Sequence, residues 1–217
     1  MPDFIFLYIC FFAAGYLFGS IPWAFILGKV NGIDIRKHGS GNVGATNVRR
    51  TLGKKWAVLC FFLDFIKGFL PVLVLNLLYS GNFIDKTPFG VVIIAAASVA
   101  GHMWPLFLNF KGGKGISTIA GILLAVAPLS LLAGGAIWAL VFYSTRYVSL
   151  ASIAGALILP VSAFAFSYYK IGNEIPLPSL IMLTAMALLA IIRHKGNIIR
   201  LLKGTENRFV KKQKLET

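Results

Sequence analysis

The sequence predicts an all-α integral membrane protein, a bundle of seven transmembrane helices, some of them short. Three observations carry this. Of 217 residues, 58% are hydrophobic and only 13% charged, against about 25% charged in a soluble domain. Apolar runs near the roughly 20 residues that a helix needs to cross a bilayer recur along the chain. The bases are lopsided: residues 28–55 hold seven, residues 193–217 hold eight and the first 27 hold none.

Residues 4–27 are the first apolar segment, with a kink expected at Gly19-Ser20-Ile21-Pro22. Its bases follow the apolar run, the reverse of a cleavable signal. A loop rich in Gly, Asn and bases covers 28–55, and residues 56–79 are apolar again but carry Asp64 and Lys67. A polar turn at 80–88 ends in Pro88, and a third span at 89–110 ends in Gly101-His102-Met103-Trp104-Pro105. After Lys111-Gly112-Gly113-Lys114-Gly115, apolar sequence resumes at 116–143, 147–169 and 178–192, with a polar stretch around Lys170-Gly172-Asn173-Glu174. Residues 1–217 thus read as one polytopic membrane domain. Cys10 and Cys60 lie inside apolar runs and read as packing residues.

Positive-inside bias puts residues 28–55, the 111–115 loop and the tail in the cytoplasm and the N-terminus outside. An even number of crossings must then separate residue 115 from residue 193. Only three apolar blocks lie there, but the 28-residue block at 116–143 contains Pro128, which breaks a helix. Splitting it yields seven crossings. A half of about 12 residues rises only about 18 Å against a core near 30 Å. It must be buried among neighbours or be re-entrant. The net charge of +14 would suit nucleic acid in a soluble chain, but these bases abut membrane spans, so no nucleic-acid partner is expected.

Two loops carry the candidate chemistry. Gly39-Ser40-Gly41-Asn42-Val43-Gly44 matches a dinucleotide fingerprint literally, with Asp64 twenty residues on. That fingerprint needs a preceding strand, and the flanks here are membrane helices. What survives is an anion nest: glycines let backbone N–H groups converge, Ser40, Asn42, Thr46 and Asn47 add neutral donors, and Arg49 and Arg50 add charge. The plain alternative is a flexible loop that caps a helix. Lys111-Gly112-Gly113-Lys114-Gly115 lacks the Ser or Thr a phosphate-binding P-loop requires after its lysine. Anion capture at a helix start, with Lys111 and Lys114 as point charges, is still its natural chemistry; a positive-inside turn is the plain reading. Asp64 and Lys67 are spaced to pair on one helix face. His38, His102 and His194 have no carboxylate five residues later. No paired carboxylates, serine-hydrolase elbow, metal cluster or cofactor motif is legible.

Taken in order, Gly19-Ser20-Ile21-Pro22, Asp34-Ile35-Arg36, the 39–47 run, Asp64…Lys67-Gly68, Gly101-His102, Phe110-Lys111-Gly112-Gly113-Lys114-Gly115 and Arg193-His194…Asn197…Arg200…Gly204-Thr205-Glu206 resemble the PlsY family. These are bacterial integral-membrane acyltransferases that use acyl phosphate. The resemblance implies seven helices, an outside N-terminus and a cytoplasmic active site at the plasma (inner) membrane. It implies acyl phosphate, glycerol 3-phosphate and membrane lipid as partners, lysophosphatidate and phosphate as products, and no cofactor. By motif it implies that Ser40 and Arg50 are essential and that Gly112, Gly113, Lys114 and Gly115 hold the acceptor phosphate. It also implies that His194 and Asn197 act in the site and that Glu206 is structural. Both substrates carry phosphate, which two glycine–base loops suit, and an acyl phosphate is already activated. A transporter of phosphate or organophosphate anions and a lipid-binding scaffold remain as other readings.

The topology is testable by replacing Asn82 and Lys212 in turn with Cys. An impermeant thiol reagent applied to intact cells should label position 82 and leave position 212 unlabelled.

Overall fold

The computed structural model describes residues 2–87, 89–172 and 174–209, with the side chains of residues 2 and 3 left out. Pro88, Asn173 and the last bases, Lys212 among them, lie outside the described residues. Within them, ten α-helices and two 3₁₀ turns account for all regular structure. The expected kink is a break: α1 (Pro2–Ser20) stops before Ile21-Pro22 and α2 (Trp23–Val30) restarts, because proline donates no N–H and pushes its predecessor out of helical geometry. A short α3 (Ala45–Thr51) stands inside the expected loop, and α4 (Lys54–Ser80) and α5 (Gly90–Met103) follow. The expected third span thus ends early, and a 3₁₀ turn at Leu106–Leu108 completes it.

The long apolar block divides at the residue the sequence singles out. α6 (Ile116–Val126) ends at Ala127, and α7 (Pro128–Thr145) opens with Pro128 at its first turn. Ala127, at φ −145° and ψ 64°, shows the steric restriction that proline imposes on the residue before it. α8 (Val148–Tyr168), α9 (Leu177–Arg193) and α10 (Lys195–Leu202) complete the chain. Five segments are long and apolar enough to cross a membrane, and a sixth is the α9–α10 pair, bent by 53°. The segment expected as a seventh, α6, has 11 residues and rises only about 17 Å. It is sheltered, as its length demands: Thr118, Ile119, Gly121, Ile122 and Leu123 are buried.

Helix–helix contact uses small residues, as expected where no hydrophobic effect drives association. A Cβ at Gly68 of α4 would land on the Thr118 carbonyl oxygen of α6, and one at Gly121 of α6 on the Phe65 carbonyl of α4. Gly19 of α1 meets the Ser98 carbonyl of α5 in the same way. Apolar side chains such as Ile5, Phe6, Ile9 and Phe12 face outward, where lipid rather than water meets them. Cys10 is exposed among them, a correction to its reading as a packing residue, whereas Cys60 is fully buried. Residues from the 31–53 and 104–115 connections, the start of α8 and the α9–α10 bend line one cavity, so these segments share one end of the bundle.

The α4–α6 crossing should not tolerate bulk. Gly121→Leu should lower the thermal unfolding midpoint in detergent by an amount equivalent to about 1–3 kcal/mol, from overpacking. Gly135→Ala, where a Cβ meets nothing within 4 Å, should leave it unchanged or raise it.

Candidate active site

The first glycine loop is built around one side chain. Asn47, fully buried on α3, donates through Nδ2 to the carbonyls of Ile35 (3.1 Å) and His38 (3.0 Å) and accepts the Ser40 N–H at Oδ1 (2.8 Å). Both amide hydrogens are therefore spent on the loop. This corrects its expected role: Asn47 shapes the nest rather than donating to an anion. Gly39, at φ +62°, lies against that Oδ1, where a Cβ would collide. Asp34 opens the loop by accepting from the Arg36 backbone N–H (3.1 Å) and from its Nε and Nη2 (2.9 and 2.7 Å). The Arg36 guanidinium holds that carboxyl well below the usual range. The wrap delivers Ser40, Gly41, Asn42 and Thr46, with Arg50 farther along α3, to one cavity.

The second glycine loop departs from expectation. The N–H groups of Gly112 and Gly113 donate to the carbonyls of Met103 (3.1 Å) and His102 (3.0 Å), closing on the end of α5. A Cβ at either position would strike His102 or Pro105. Their carbonyls accept from Arg193 of α9: Nη2 reaches Gly112 O at 3.0 Å and Gly113 O at 2.9 Å. These two glycines make a close backbone approach, not an anion nest. Lys111 is exposed, and neither it, Gly112, Gly113 nor Gly39 lines the cavity, whereas Lys114 and Gly115 do. Gly115, at φ +84°, precedes α6, whose first N–H groups have no partner within the helix. Ile116 and Ser117 bring that helix start to the cavity wall.

The α9–α10 bend supplies the third side. His194 sits at the joint, with Nδ1 2.7 Å from the Ala190 carbonyl. A carbonyl only accepts, so Nδ1 carries the hydrogen and Nε2 is the neutral ring's acceptor. The Lys114 amine donates to Asn197 Oδ1, and Asn197 Nδ2 donates to Glu206 Oε1 at 2.7 Å. Glu206 also accepts from Ser149 Oγ (2.9 Å) and Arg200 Nε (2.7 Å). Burial alone would raise its carboxyl, but hydrogen bonds from Asn197, Ser149 and Arg200 hold it below the ordinary range. Burial pushes Lys114 down to about 8, reinforced by Arg200, Arg50 and Arg193 and opposed by Glu206.

Beneath lies a buried ion pair. Asp64 and Lys67 meet at 3.0 Å, as their spacing predicts, and His102 Nδ1 is 3.6 Å from the same carboxylate oxygen. Thr118 Oγ1 donates to the Asp64 carbonyl at 3.0 Å. Asp64 and His102 form part of the cavity wall and Lys67 does not.

The cavity occupies about 440 Å³. Ser40, Arg50, His194 and Asn197, separated by up to 157 positions, converge on it. Arg193, Arg200, Ser149, Ser152 and Trp138 also line it, none of which the sequence assigned to the site. Arg193 and Arg200 stand in the Arg193-His194…Asn197…Arg200 segment that carries the family resemblance, so a signal existed; the other three lie in apolar spans with nothing to mark them. Four cations (Arg50, Lys114, Arg193 and Arg200) face only two carboxylates here, Asp64 and Glu206, both already paired. That imbalance suits anionic ligands. A second cavity of about 410 Å³ is walled by apolar side chains of α6 to α9, and Phe61, Ile116, Trp138 and Ser152 line both.

The family described as glycerol-3-phosphate acyltransferase matches residues 9–204. A relative from Aquifex aeolicus (strain VF5) with that name is 45% identical over 203 residues, 94% of this chain and 98% of its own. One from Syntrophotalea carbinolica is 44% identical over 198 residues, 90% of this chain and 94% of its own. Two crystal structures of PlsY, an integral membrane glycerol 3-phosphate acyltransferase, superpose with TM-scores of 0.81. The glycerol 3-phosphate form is 43% identical and covers 95% of both chains; the lysophosphatidic acid form is 42% identical and covers 94% of this chain and 95% of its own. Sequence and fold therefore agree along almost the whole chain, and this protein belongs to the glycerol-3-phosphate acyltransferase family.

Proposed function

We propose that the chain transfers an acyl group from acyl phosphate to the 1-hydroxyl of glycerol 3-phosphate, giving lysophosphatidate and inorganic phosphate. This would be the first acylation step of bacterial phospholipid synthesis. The observation that carries the reading is the shared wall between a cationic cavity and an apolar one. An acyl phosphate has that division, an anionic head on an alkyl tail. From Ser152 to Leu159 along α8 the apolar cavity extends about 10 Å, room for the first part of a chain whose remainder can lie in lipid. The related structures hold glycerol 3-phosphate and lysophosphatidic acid, the acceptor and product of this reaction. The basic loops at the cavity end support a site facing the cytoplasm, at the plasma (inner) membrane, with the N-terminus outside.

Both ligands bring phosphate to Arg50, Lys114, Arg193 and Arg200. Ser40 donates to a phosphate or carbonyl oxygen, with Gly41, Asn42 and Thr46 beside it. The acceptor oxygen attacks the acyl carbon, the carbonyl electron pair moves to oxygen, and its return expels phosphate. A bound phosphate has a second pKa near 6 and takes the hydroxyl proton, so the reaction balances without an acyl-enzyme. Both ring nitrogens of His102 face protein, Nδ1 towards Asp64 and Nε2 against Gly113. That leaves His194, whose Nε2 is the free acceptor, as the protein's competing base. No serine stands beside a base oriented by a third group, as a nucleophile requires.

Lys114 loses its charge as pH rises through about 8. The KM for glycerol 3-phosphate should therefore climb above that pH in steady-state assays. Lys114→Met should raise that KM at pH 7, leave the donor's KM little changed and abolish the climb. A rise confined to the donor's KM would assign the lysine to the acyl phosphate.

Direct transfer is checked by quenching enzyme mixed with acyl phosphate alone and weighing the intact protein by mass spectrometry. No adduct is expected. A stoichiometric acyl group on Ser40 that turns over on adding glycerol 3-phosphate would replace direct transfer with an acyl-enzyme.

A further inference from the structure

We infer that Ser152 hydrogen-bonds the acyl carbonyl oxygen during transfer and that Trp138 orients it. The inference rests on the acyl-phosphate reading above and locates the reacting carbon within it. A donor with its phosphate in the cationic cavity and its chain in the apolar one must thread its carbonyl through their common wall. That wall is Phe61, Ile116, Trp138 and Ser152. Phe61 has no polar side-chain atom and Ile116 has none either. The indole N–H and the serine hydroxyl are the side-chain donors available there.

The two are already joined in one direction. Trp138 Nε1 donates to Ser152 Oγ at 3.3 Å, so the indole hydrogen is spent. A serine inside a helix ordinarily gives its own hydrogen to a carbonyl one turn back. Ser98 does so to Ile94 at 2.8 Å, and Ser144 to Leu140 at 2.7 Å. Ser152 sits in the second turn of α8, one turn on from Val148, is 5% exposed, and among the described residues no protein acceptor takes its hydrogen. The Trp138 N–H claims an oxygen lone pair and so favours a rotamer directed away from the helix backbone. Such a donor, nine-tenths buried, is uneconomical unless a ligand accepts from it.

The carbonyl oxygen is that acceptor. As the acceptor hydroxyl attacks, negative charge grows on this oxygen and the hydrogen bond strengthens, which is where a preorganised donor accelerates a reaction. No proton leaves Ser152; phosphate still takes the proton and departs with the electron pair of the broken C–O bond. Trp138 is held in turn by its stack on Phe142, with centroids 4.9 Å apart, and Phe142 meets Phe209 edge-on at 5.8 Å. Ser152 is the catalytic residue of this pair and Trp138 a positioning residue.

The test uses the full chain in detergent with palmitoyl phosphate and glycerol 3-phosphate, measuring kcat and both KM values. Ser152→Ala should lower kcat about 100-fold, the usual loss for one oxyanion donor, with each KM within about twofold of wild type. Ser152→Thr, which keeps the hydroxyl, should restore most of the rate. Trp138→Phe keeps the aromatic stack and removes only the N–H; its loss in kcat should vanish in a Ser152→Ala background, because it acts through that hydroxyl. A Ser152→Ala enzyme near wild-type kcat, a change confined to the donor's KM, or losses that multiply in the double variant would overturn the inference. Wild-type enzyme inert towards palmitoyl phosphate would instead overturn the donor reading, and this inference with it.

Discussion

The site is organised by one carboxylate. Glu206 lies beyond the last helix, yet it accepts from Ser149 on α8 and from Asn197 and Arg200 on α10. Asn197 carries the connection on to Lys114 at the start of α6. An unpaired buried carboxylate costs several kcal/mol, so the tail segment stays where three donors meet it. Once there, it offsets repulsion among Lys114, Arg200 and Arg50 that would otherwise oppose packing three cations round one cavity. The charge left over is positive, which suits an anionic ligand.

A second constraint comes from hydrocarbon. α6 is too short to cross hydrocarbon unaided, so its polar start must be met by protein. The Asp64–Lys67 pair, His102 and Thr118 do this from α4, α5 and α6. Breaking a buried pair by removing one partner costs about 3–5 kcal/mol, which makes this cluster a fixed floor. The short helix thereby brings its N-terminal end and Lys114 to the wall of the cationic cavity. Glycine contacts between α4 and α6 set that position, since larger residues would drive the helices apart.

Much of this was legible in the sequence. Pro128 marked the division of the long apolar block because a missing N–H and a clash act locally, wherever the chain later folds. The spacing of Asp64 and Lys67 announced their pairing for the same reason. The glycine loops were harder. Gly112 and Gly113 read the same whether their N–H groups face a ligand or the carbonyls of His102 and Met103, and Arg193, which fixes the outcome, stands 80 residues away. Asn47 looked like one donor among several until its buried partners, Ile35 and His38, were in place. Trp138 and Ser152 had no local signal, because what distinguishes them is a border between two cavities that no single segment contains.

That border also accounts for how so sparse a set of groups can serve the proposed transfer. A mixed anhydride is already activated, and the barrier left is one of orientation, charge and water. In the proposed reaction the cationic cavity holds the departing and accepting phosphates, and the apolar one aligns the chain. The reacting carbon is then confined to their junction without a covalent tether. Effective concentration in such an arrangement can supply about 7–11 kcal/mol of the barrier, comparable with what a nucleophile and base provide elsewhere. On that reading membrane burial contributes directly, since an apolar wall that receives the alkyl chain also keeps water from an acyl donor that would otherwise hydrolyse. The fold's investment is therefore in placing two unlike cavities side by side, and its chemistry follows from where they touch.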